Sequence, residues 1–460
     1  MQYEIPDEFY YRLHHVRPRF KAQVENVLVY VATAINNIGL KDKYQFRDSL
    51  NDEIQNYPGN EGLALKTINN WRTEISSLFG LFIEGDEFTI PGLRAKELAE
   101  YQDLRAFFKK FLYSFEYPGG HVKDHTIVDV CRHGVFFKPV TYIIQVLDAA
   151  DSGSYITSEE ATHCIFNDLR VTRDHRSPVE TWQIIKENRQ KNITYDSRGD
   201  MTRYAGDILD YMVIANLLKI KGQRYVLNSS EAFNNVFRES HRHFDGYEPF
   251  VGNKDVKIED IRDLRVNWFN YVNESFEHLN FATDITEFLP DEVLSDREML
   301  IVDLSDHVES ADQISTAKVG LAGETLVVGL ERQKLYEANQ EHLIHLVNFI
   351  PTQFGVGYDV QSFETDGSEL RKYIEVKTTV SSKSVSFNSI HITPNEWRTM
   401  ISVRDRYYIY RLMLADNIRR MFIIPDVLAR IKEGHITVSE SSSGYDLQFN
   451  NSSGYEEAIK

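Results

Sequence analysis

Hydrophobic and polar positions recur with two periods along this chain, and the order in which the periods change is informative. Over residues 21–37, Val24, Val27, Leu28 and Val31 fall on one face of a helix. Over residues 65–79, Ile68, Trp71, Ile75, Leu78 and Phe79 do the same. The period then shortens: Leu81-Phe82-Ile83, Glu84-Gly85-Asp86 and Phe88-Thr89-Ile90 read as strand, turn and strand. A similar order returns between residues 139 and 228. Pro139 opens a helix that turns Val140, Ile143, Ile144 and Leu147 inward. Thr157 or Ser158 caps a further helix carrying Cys164, Ile165 and Leu169. Ile208, Leu209, Met212, Val213 and Leu217 mark another, which runs into Leu218-Lys219-Ile220, the turn Lys221-Gly222-Gln223, and Tyr225-Val226-Leu227.

A helix running directly into a β-hairpin is the end of a winged-helix module, its last helix being the reading helix of a helix-turn-helix variant. Two such modules are expected. The polar face of the first reading helix carries Lys66, Asn69, Asn70, Arg72 and Thr73. Asn and Arg pair bidentately with adenine and guanine edges, so these five are the candidate DNA contacts, although any solvated helix has a polar face. Winged helices also bind proteins, so the module alone does not prove DNA binding.

Beyond residue 228 the pattern weakens. Residues 267–276 read as helical, and residues 284–312 are acidic, a solvated connector and candidate hinge. The Ser/Asn-rich tail from Ser441 is expected to fray. The 460 residues exceed one ordinary core, which holds ~100–200 residues. We therefore expect a multidomain α+β protein divided at 1–100, 101–235, 236–312 and 313–450. No apolar run spans a membrane, and no basic-then-apolar leader opens the chain. Two cysteines, Cys131 and Cys164, with no CxxC pair argue against disulfides or structural zinc and for a reducing cytoplasm. His241/His243 and His342/His345 lack a third ligand at metal spacing. A net charge of −18 counts against a simple DNA-coating protein, but leaves room for carboxylates that hold metal ions.

The chemistry concentrates in residues 316–415. A helical stretch contains Gly323-Glu324; a strand-like run, Gly357 to Phe363, contains Asp359; the turn Thr365-Asp366-Gly367-Ser368 follows, and then Tyr373-Ile374-Glu375-Val376-Lys377-Thr378-Thr379. If the two strands form a hairpin centred near Gly367, positions whose numbers sum to about 734 pair, and Asp359 lies opposite Glu375. Side-chain alternation then puts Ile374 and Val376 toward the core, and Glu375, Lys377 and Asp359 on the other face. Clustered carboxylates suit a hard cation such as Mg²⁺. Asp359 and Glu375 are the candidate metal ligands. Lys377 would hold or help deprotonate the attacking water, and Glu324 would complete the site. Taken alone, such residues are more often surface ion pairs.

Asp359…Glu375-Val376-Lys377 resembles the PD-(D/E)xK nuclease signature. Residues 316–415 are similar, more narrowly, to the Mrr-like nuclease domain named after the plant protein NO VEIN. The likeness rests on Gly323-Glu324, Gly357-Tyr358-Asp359, Tyr373 to Thr379, Phe387…Ile392-Thr393-Pro394-Asn395-Glu396-Trp397 and Asp405 to Arg411. It departs from the name-giving motif at Tyr358, where proline is usual. The resemblance implies a restriction-endonuclease-like α/β/α core with a central mixed sheet, its third strand at 385–392, a helix from Asn395 to Ser402 and its fourth strand at 407–412. It also implies supporting roles for Asn395 and Glu396, which serve equally well as helix cap and first-turn acid. The expected function is a Mg²⁺-dependent endonuclease on double-stranded DNA, of type II restriction character, acting as a homodimer. A modification-dependent or multi-component defence nuclease, and a non-catalytic DNA-binding regulator on a decayed nuclease fold, are the alternatives.

Overall fold

The computed structural model describes residues 2–15, 24–57, 60, 62–101, 103–150, 154–198, 200–229, 231, 233–276, 279, 281, 318–350, 356–381, 388–415, 418–441 and 444–458. The chain forms two compact units. One takes in residues 1–99 and 105–281, the other 100–104 and 282–460. Residues 236–281 of the expected connector therefore pack with the first unit. Its acidic part, 284–312, lies outside the described residues.

In the first unit the helix Val24–Ile38 leads into strand β1 (Lys41–Asp42) and the helices Lys43–Asn56 and Leu65–Phe79, followed by β2 (Phe82–Glu84) and β3 (Phe88–Pro91). The three strands form one sheet in the order β1-β3-β2. Later the helix Pro139–Asp148 precedes β4 (Tyr155–Ile156), and the helix Arg203–Ile214 precedes β5 (Leu218–Lys221) and β6 (Arg224–Leu227). These strands take the matching order β4-β6-β5. Both repeats are thus helix, short strand, helices and hairpin with the first strand added beside the third.

Local chemistry explains the boundaries. Asp42 caps its helix by accepting from Tyr44 and Gln45 N–H. Thr157 and Glu160 form a capping box that starts Ser158–Ala161. The expected single helix there is instead broken: Ser158–Ala161 continues as one π-helical stretch, Thr162–Phe166, and Leu169–Thr172 follows, restarted by the Asp168 cap. The helix expected at 267–276 forms at Leu264–Val272.

The second unit is built on a mixed six-stranded sheet, ordered β15-β12-β11-β9-β8-β7. Its strands are β7 (Asn348–Phe349), β8 (Val360–Phe363), β9 (Arg371–Val380), β11 (Tyr407–Ala415), β12 (Ile418–Ile424) and β15 (Tyr455–Glu457). The β8–β9 register is Val360↔Ile374, the pairing that the turn arithmetic requires. β9 and β11 run parallel, with Ile409↔Glu375 and Arg411↔Lys377. The helix Lys318–Glu337 covers one face, where Val327, Val328 and Leu335 meet Ile374, Val376, Tyr410 and Leu412. Glu331, fully buried on that helix, accepts from Lys372 Nζ (3.0 Å) and Tyr410 OH (2.6 Å) and so fixes helix to sheet.

Two expectations fail here. Of the strand expected at 385–392, residues 385–387 lie outside the described residues, and the described part is not in the central sheet. β10 (Ser389–Ile392) pairs with β14 (Gly444–Phe449), which pairs with β13 (Ile436–Ser441) in a separate sheet. The physical reason is that β9 already has β8 on one edge and β11 on the other, leaving no ladder open to β10. The tail expected to fray instead supplies β14 and β15. Leu447 and Phe449 alternate inward, Phe449 stacks on Phe422, and Tyr445 stacks on Trp397 with centroids 4.2 Å apart.

Candidate active site

Two strands and the ends of two helices bring five charged side chains together. Gly357, at φ +77°, makes the entry into β8. A Cβ there would come within 2.5 Å of Thr399 Oγ1 and 2.8 Å of Asn395 O, so only glycine fits. Asp359 follows at the foot of β8. Its N–H donates to Ile374 O (2.9 Å), and its Oδ2 accepts from Val376 N–H (2.8 Å). Alternation along β9 sends Glu375 and Lys377 to the face opposite the core. Glu375 is nonetheless only 2% exposed. Lys377 Nζ lies 2.6 Å from Glu375 Oε1 and 3.3 Å from Glu396 Oε2.

Glu396 arrives from the first turn of the helix Pro394–Val403. Thr393 is the cap of that helix, not Asn395: Thr393 Oγ1 accepts from Glu396 N–H, and Glu396 Oε2 accepts from Thr393 N–H (2.9 Å). Glu396 thus caps the helix and touches Lys377 with the same carboxylate. Asn395 is half-buried beside it. Glu324 stands near the start of the helix Lys318–Glu337. Gly323 lets that helix close on β9, since a Cβ there would fall 1.9 Å from Thr378 Oγ1.

Four carboxylates surround one ammonium, and their protonation reflects it. Burial, then the charge of Asp359, pushes Glu324 up to about 8. Burial, then Asp359 and Glu396, pushes Glu375 well above the ordinary range. Burial also raises Asp359, with Lys377 and the Val376 N–H opposing. Burial would raise Glu396 as well, but Lys377 and the Thr393 N–H hold it below its ordinary value. Burial works against charge on Lys377, yet Glu375, Glu396 and Asp359 together keep its ammonium firmly protonated. Glu375 Oε2 meets no hydrogen-bond donor among the described residues. A buried carboxylate oxygen without a donor, beside a second carboxylate, is the donor set a hard divalent cation takes. Mg²⁺ needs only one or two protein carboxylates, because it keeps several waters.

A tighter group of possible ligand atoms lies in the first unit. His243, Asp245 and Glu248 each offer one atom, all within 4.8 Å of one another. Sequence spacing had given His243 no third ligand; the fold supplies Asp245 and Glu248, and leaves His241 out. Both acids are exposed, and each already pairs with His243 Nε2, at 3.5 and 3.3 Å, as surface ions do. His342 pairs with Glu369 in the same way.

The five candidate DNA contacts separate into two groups. Asn69 Oδ1 accepts from Asn51 Nδ2 (3.1 Å) and from Arg72 Nη1 (3.2 Å), and Arg72 Nη1 also reaches Asn51 Oδ1 (3.0 Å). These two are tied to the preceding helix. Lys66 and Thr73 are exposed and Asn70 is half-exposed. The sequence reading passed over a contrast between the hairpins. The first carries exposed Glu84, Asp86 and Glu87, with Lys43 paired to Glu84 at 2.7 Å. The second presents exposed Lys219, Lys221 and Arg224. The signal was present in the residue types themselves.

The family model described as "Restriction endonuclease BpuJI - N terminal" matches residues 3–269. The chain belongs to that family. A second model, "Protein NO VEIN, C-terminal", matches residues 323–424, the segment that holds Glu324, Asp359, Glu375, Lys377 and Glu396. A solved structure described as "Crystal structure of pyrene- and phenanthrene-modified DNA in complex with the BpuJ1 endonuclease binding domain" is 27% identical, with a TM-score of 0.50. The similarity covers 58% of this chain and 98% of that one. Comparison with curated proteins gave no match. The chain is therefore a multidomain α+β member of a restriction-endonuclease family with a NO VEIN-type C-terminal region. Among the described residues no helix is long and apolar enough to cross a membrane.

Proposed function

We propose that this chain is a Mg²⁺-dependent DNA endonuclease of restriction type, in which tandem winged-helix modules bind double-stranded DNA and the second unit hydrolyses it. The observation that carries the reading is the meeting of Asp359, Glu375, Glu324 and Glu396 around Lys377, with a donorless buried oxygen on Glu375. Asp359 and Glu375 would hold the metal. Bound there, Mg²⁺ would polarise a phosphoryl oxygen and acidify a coordinated water. Asp359 is oriented for this by the Val376 N–H, which fixes its Oδ2. Lys377 is stabilised in its charged form, the opposite of what a general base needs. Its role is to hold the nucleophilic water by hydrogen bonding and to offset charge that develops on the phosphate. Glu396 keeps Lys377 aimed, and Glu324 contributes a further carboxyl at the rim.

The matched strand order of the two hairpin sheets supports winged-helix modules at 1–100 and 101–235; residues 236–281, expected as connector, pack with them, and the nuclease core, expected at 313–450, includes β15 at Tyr455–Glu457. Cutting both strands with one such site per chain calls for a homodimer. The test is incubation of methylated and unmethylated plasmid with the protein in Mg²⁺ or EDTA, followed by sequencing of the ends. Discrete ends that need Mg²⁺ and vanish in Glu375→Gln and Lys377→Ala are expected. Intact plasmid under every condition, with DNA binding retained, would instead indicate a regulator.

A further inference from the structure

Residues 356–358, which lead to Asp359, lie outside any helix or strand, so a sheet ladder does not hold their carbonyls. Two side-chain hydroxyls meet those carbonyls instead. Thr399 Oγ1, on the helix Pro394–Val403, donates to Val356 O (2.7 Å). Tyr407 OH, at the start of β11, donates to Gly357 O (3.1 Å). Tyr407 is fully buried, so bulk water cannot take over from its hydroxyl. The Gly357 backbone also packs on the first turn of that helix, since a Cβ there would lie 2.8 Å from Asn395 O. Asp359 itself is the point where the chain joins its neighbours: its N–H donates to Ile374 O, and its carbonyl accepts from Ile350 N–H (2.8 Å). The sheet therefore holds Asp359 on one side, and the two hydroxyls hold its approach on the other.

The elements that supply the hydroxyls are already part of the site. Thr399 stands one turn after Glu396, which contacts Lys377. Tyr407 pairs with Tyr373 in the parallel ladder and so shares the face of Glu375 and Lys377. Burial, then the charges of Glu375, Glu396 and Asp359, push its phenol well above the ordinary value, which keeps it a hydrogen-bond donor. Mg²⁺ demands near-ideal octahedral geometry at about 2.0–2.1 Å, so a ligand at the entrance of a strand needs its approach fixed. We infer that Tyr407 and Thr399 are positioning residues for Asp359, gripping the two carbonyls that precede Tyr358 and so setting where the Asp359 carboxylate meets the cation. The inference rests on the nuclease reading, in which Asp359 is a metal ligand.

Mn²⁺, a paramagnetic stand-in for Mg²⁺, is titrated into the intact chain without DNA and followed by electron paramagnetic resonance. The binding that Glu375→Gln removes is that of the active site. Tyr407→Phe deletes one hydroxyl and keeps the ring. It weakens this binding by about 10- to 100-fold, the usual cost of losing a partner that orients a ligand. Thr399→Val, the milder change, weakens it by about 3- to 10-fold, the size of one neutral hydrogen bond. Thr399→Ser, which keeps the hydroxyl, binds Mn²⁺ like the parent, and the two Thr399 variants decide alone if Tyr407→Phe does not fold. In plasmid cleavage both hydroxyl-deleting variants need more Mg²⁺ for half-maximal rate, while their DNA affinity in EDTA equals the parent's. A merely structural role would lower the melting temperature in EDTA and leave Mn²⁺ affinity unmoved. That result, or a Thr399→Ser variant as weak as Thr399→Val, overturns the inference. Mn²⁺ binding that is lost in Glu375→Gln but unchanged in Tyr407→Phe and Thr399→Val removes the inference alone. If the parent has no Mn²⁺ binding that depends on Glu375, the nuclease reading falls and the inference with it.

Discussion

Glu375 is held against its own electrostatics. It is buried, it faces Asp359 and Glu396, and only the Lys377 ammonium at 2.6 Å relieves it. Removing its charge should therefore stabilise the metal-free protein while abolishing its chemistry, the trade expected where function requires a strained site. Glu375→Gln is expected to melt a few degrees higher than the parent in EDTA, since about 1 kcal/mol moves a domain of this size by ~2–4 °C. Its plasmid cleavage in Mg²⁺ should fall by at least about 10²-fold, and its melting temperature should no longer respond to Mg²⁺. A variant that cuts like the parent would remove Glu375 from the mechanism. Glu116 gives the pH prediction. Burial is the main cause that lifts its carboxyl to about 7. The folded chain therefore keeps the proton that the unfolded chain loses near ~4.3. Stability from this group is full below the unfolded value and is lost as pH rises through about 7, for a total of about 3 kcal/mol. Glu116→Gln should flatten the melting-temperature profile between pH 4.5 and 7, measured against the parent. An unchanged profile would mean that Glu116 ionises normally.

At the scale of elements, the reach of the Lys318–Glu337 helix depends on Gly323. A methyl group there meets Thr378 Oγ1, so Gly323→Ala must lift the helix from β9 and draw Glu324 back. A misplacement near 1 Å costs about 10²-fold in rate. A corresponding loss of cleavage is expected, with a fall in stability of roughly 1–3 kcal/mol from overpacking; cleavage kinetics and thermal melts check it. The second hairpin gives another prediction. Lys219→Ala with Lys221→Ala should weaken DNA binding and reduce the slope of log affinity against log salt by roughly 1–2, while the acidic first hairpin tolerates change. An unaltered slope in filter binding would show that this wing misses the phosphates. What the sequence made legible follows from the range of each signal. The β8–β9 register was legible because Asp366-Gly367 sets it locally. The departure of β10 was not, because its partner β14 lies more than fifty residues on and both edges of β9 were claimed by other strands. Thr393 and Glu396 formed a readable capping box, but nothing local tells that the same carboxylate also reaches Lys377. Asn69 and Arg72 matched a base-reading face, yet Asn51, from an earlier helix, takes up both.

At the scale of the whole molecule, a net charge of −18 has to be reconciled with the proposed binding of DNA. Part of the negative charge is collected where a cation would compensate it, around Lys377, and the second hairpin presents Lys219, Lys221 and Arg224 where the first presents acids. Binding and cutting should therefore be separable in the full chain. Glu375→Gln is expected to keep the parent's affinity and salt slope in EDTA, whereas the Lys219/Lys221 variant loses binding and cleavage together. The same inactive chain tests the assembly. If each chain contributes one site and two chains cut one duplex, mixing parent with excess Glu375→Gln produces dimers with a single working site. Supercoiled plasmid should then accumulate as nicked circles in proportion to the mixed species, while linear product declines. If one chain cuts both strands in turn, added Glu375→Gln can only compete for DNA. It would slow the reaction without changing the ratio of nicked to linear product, and gel electrophoresis of a mixing series distinguishes the two.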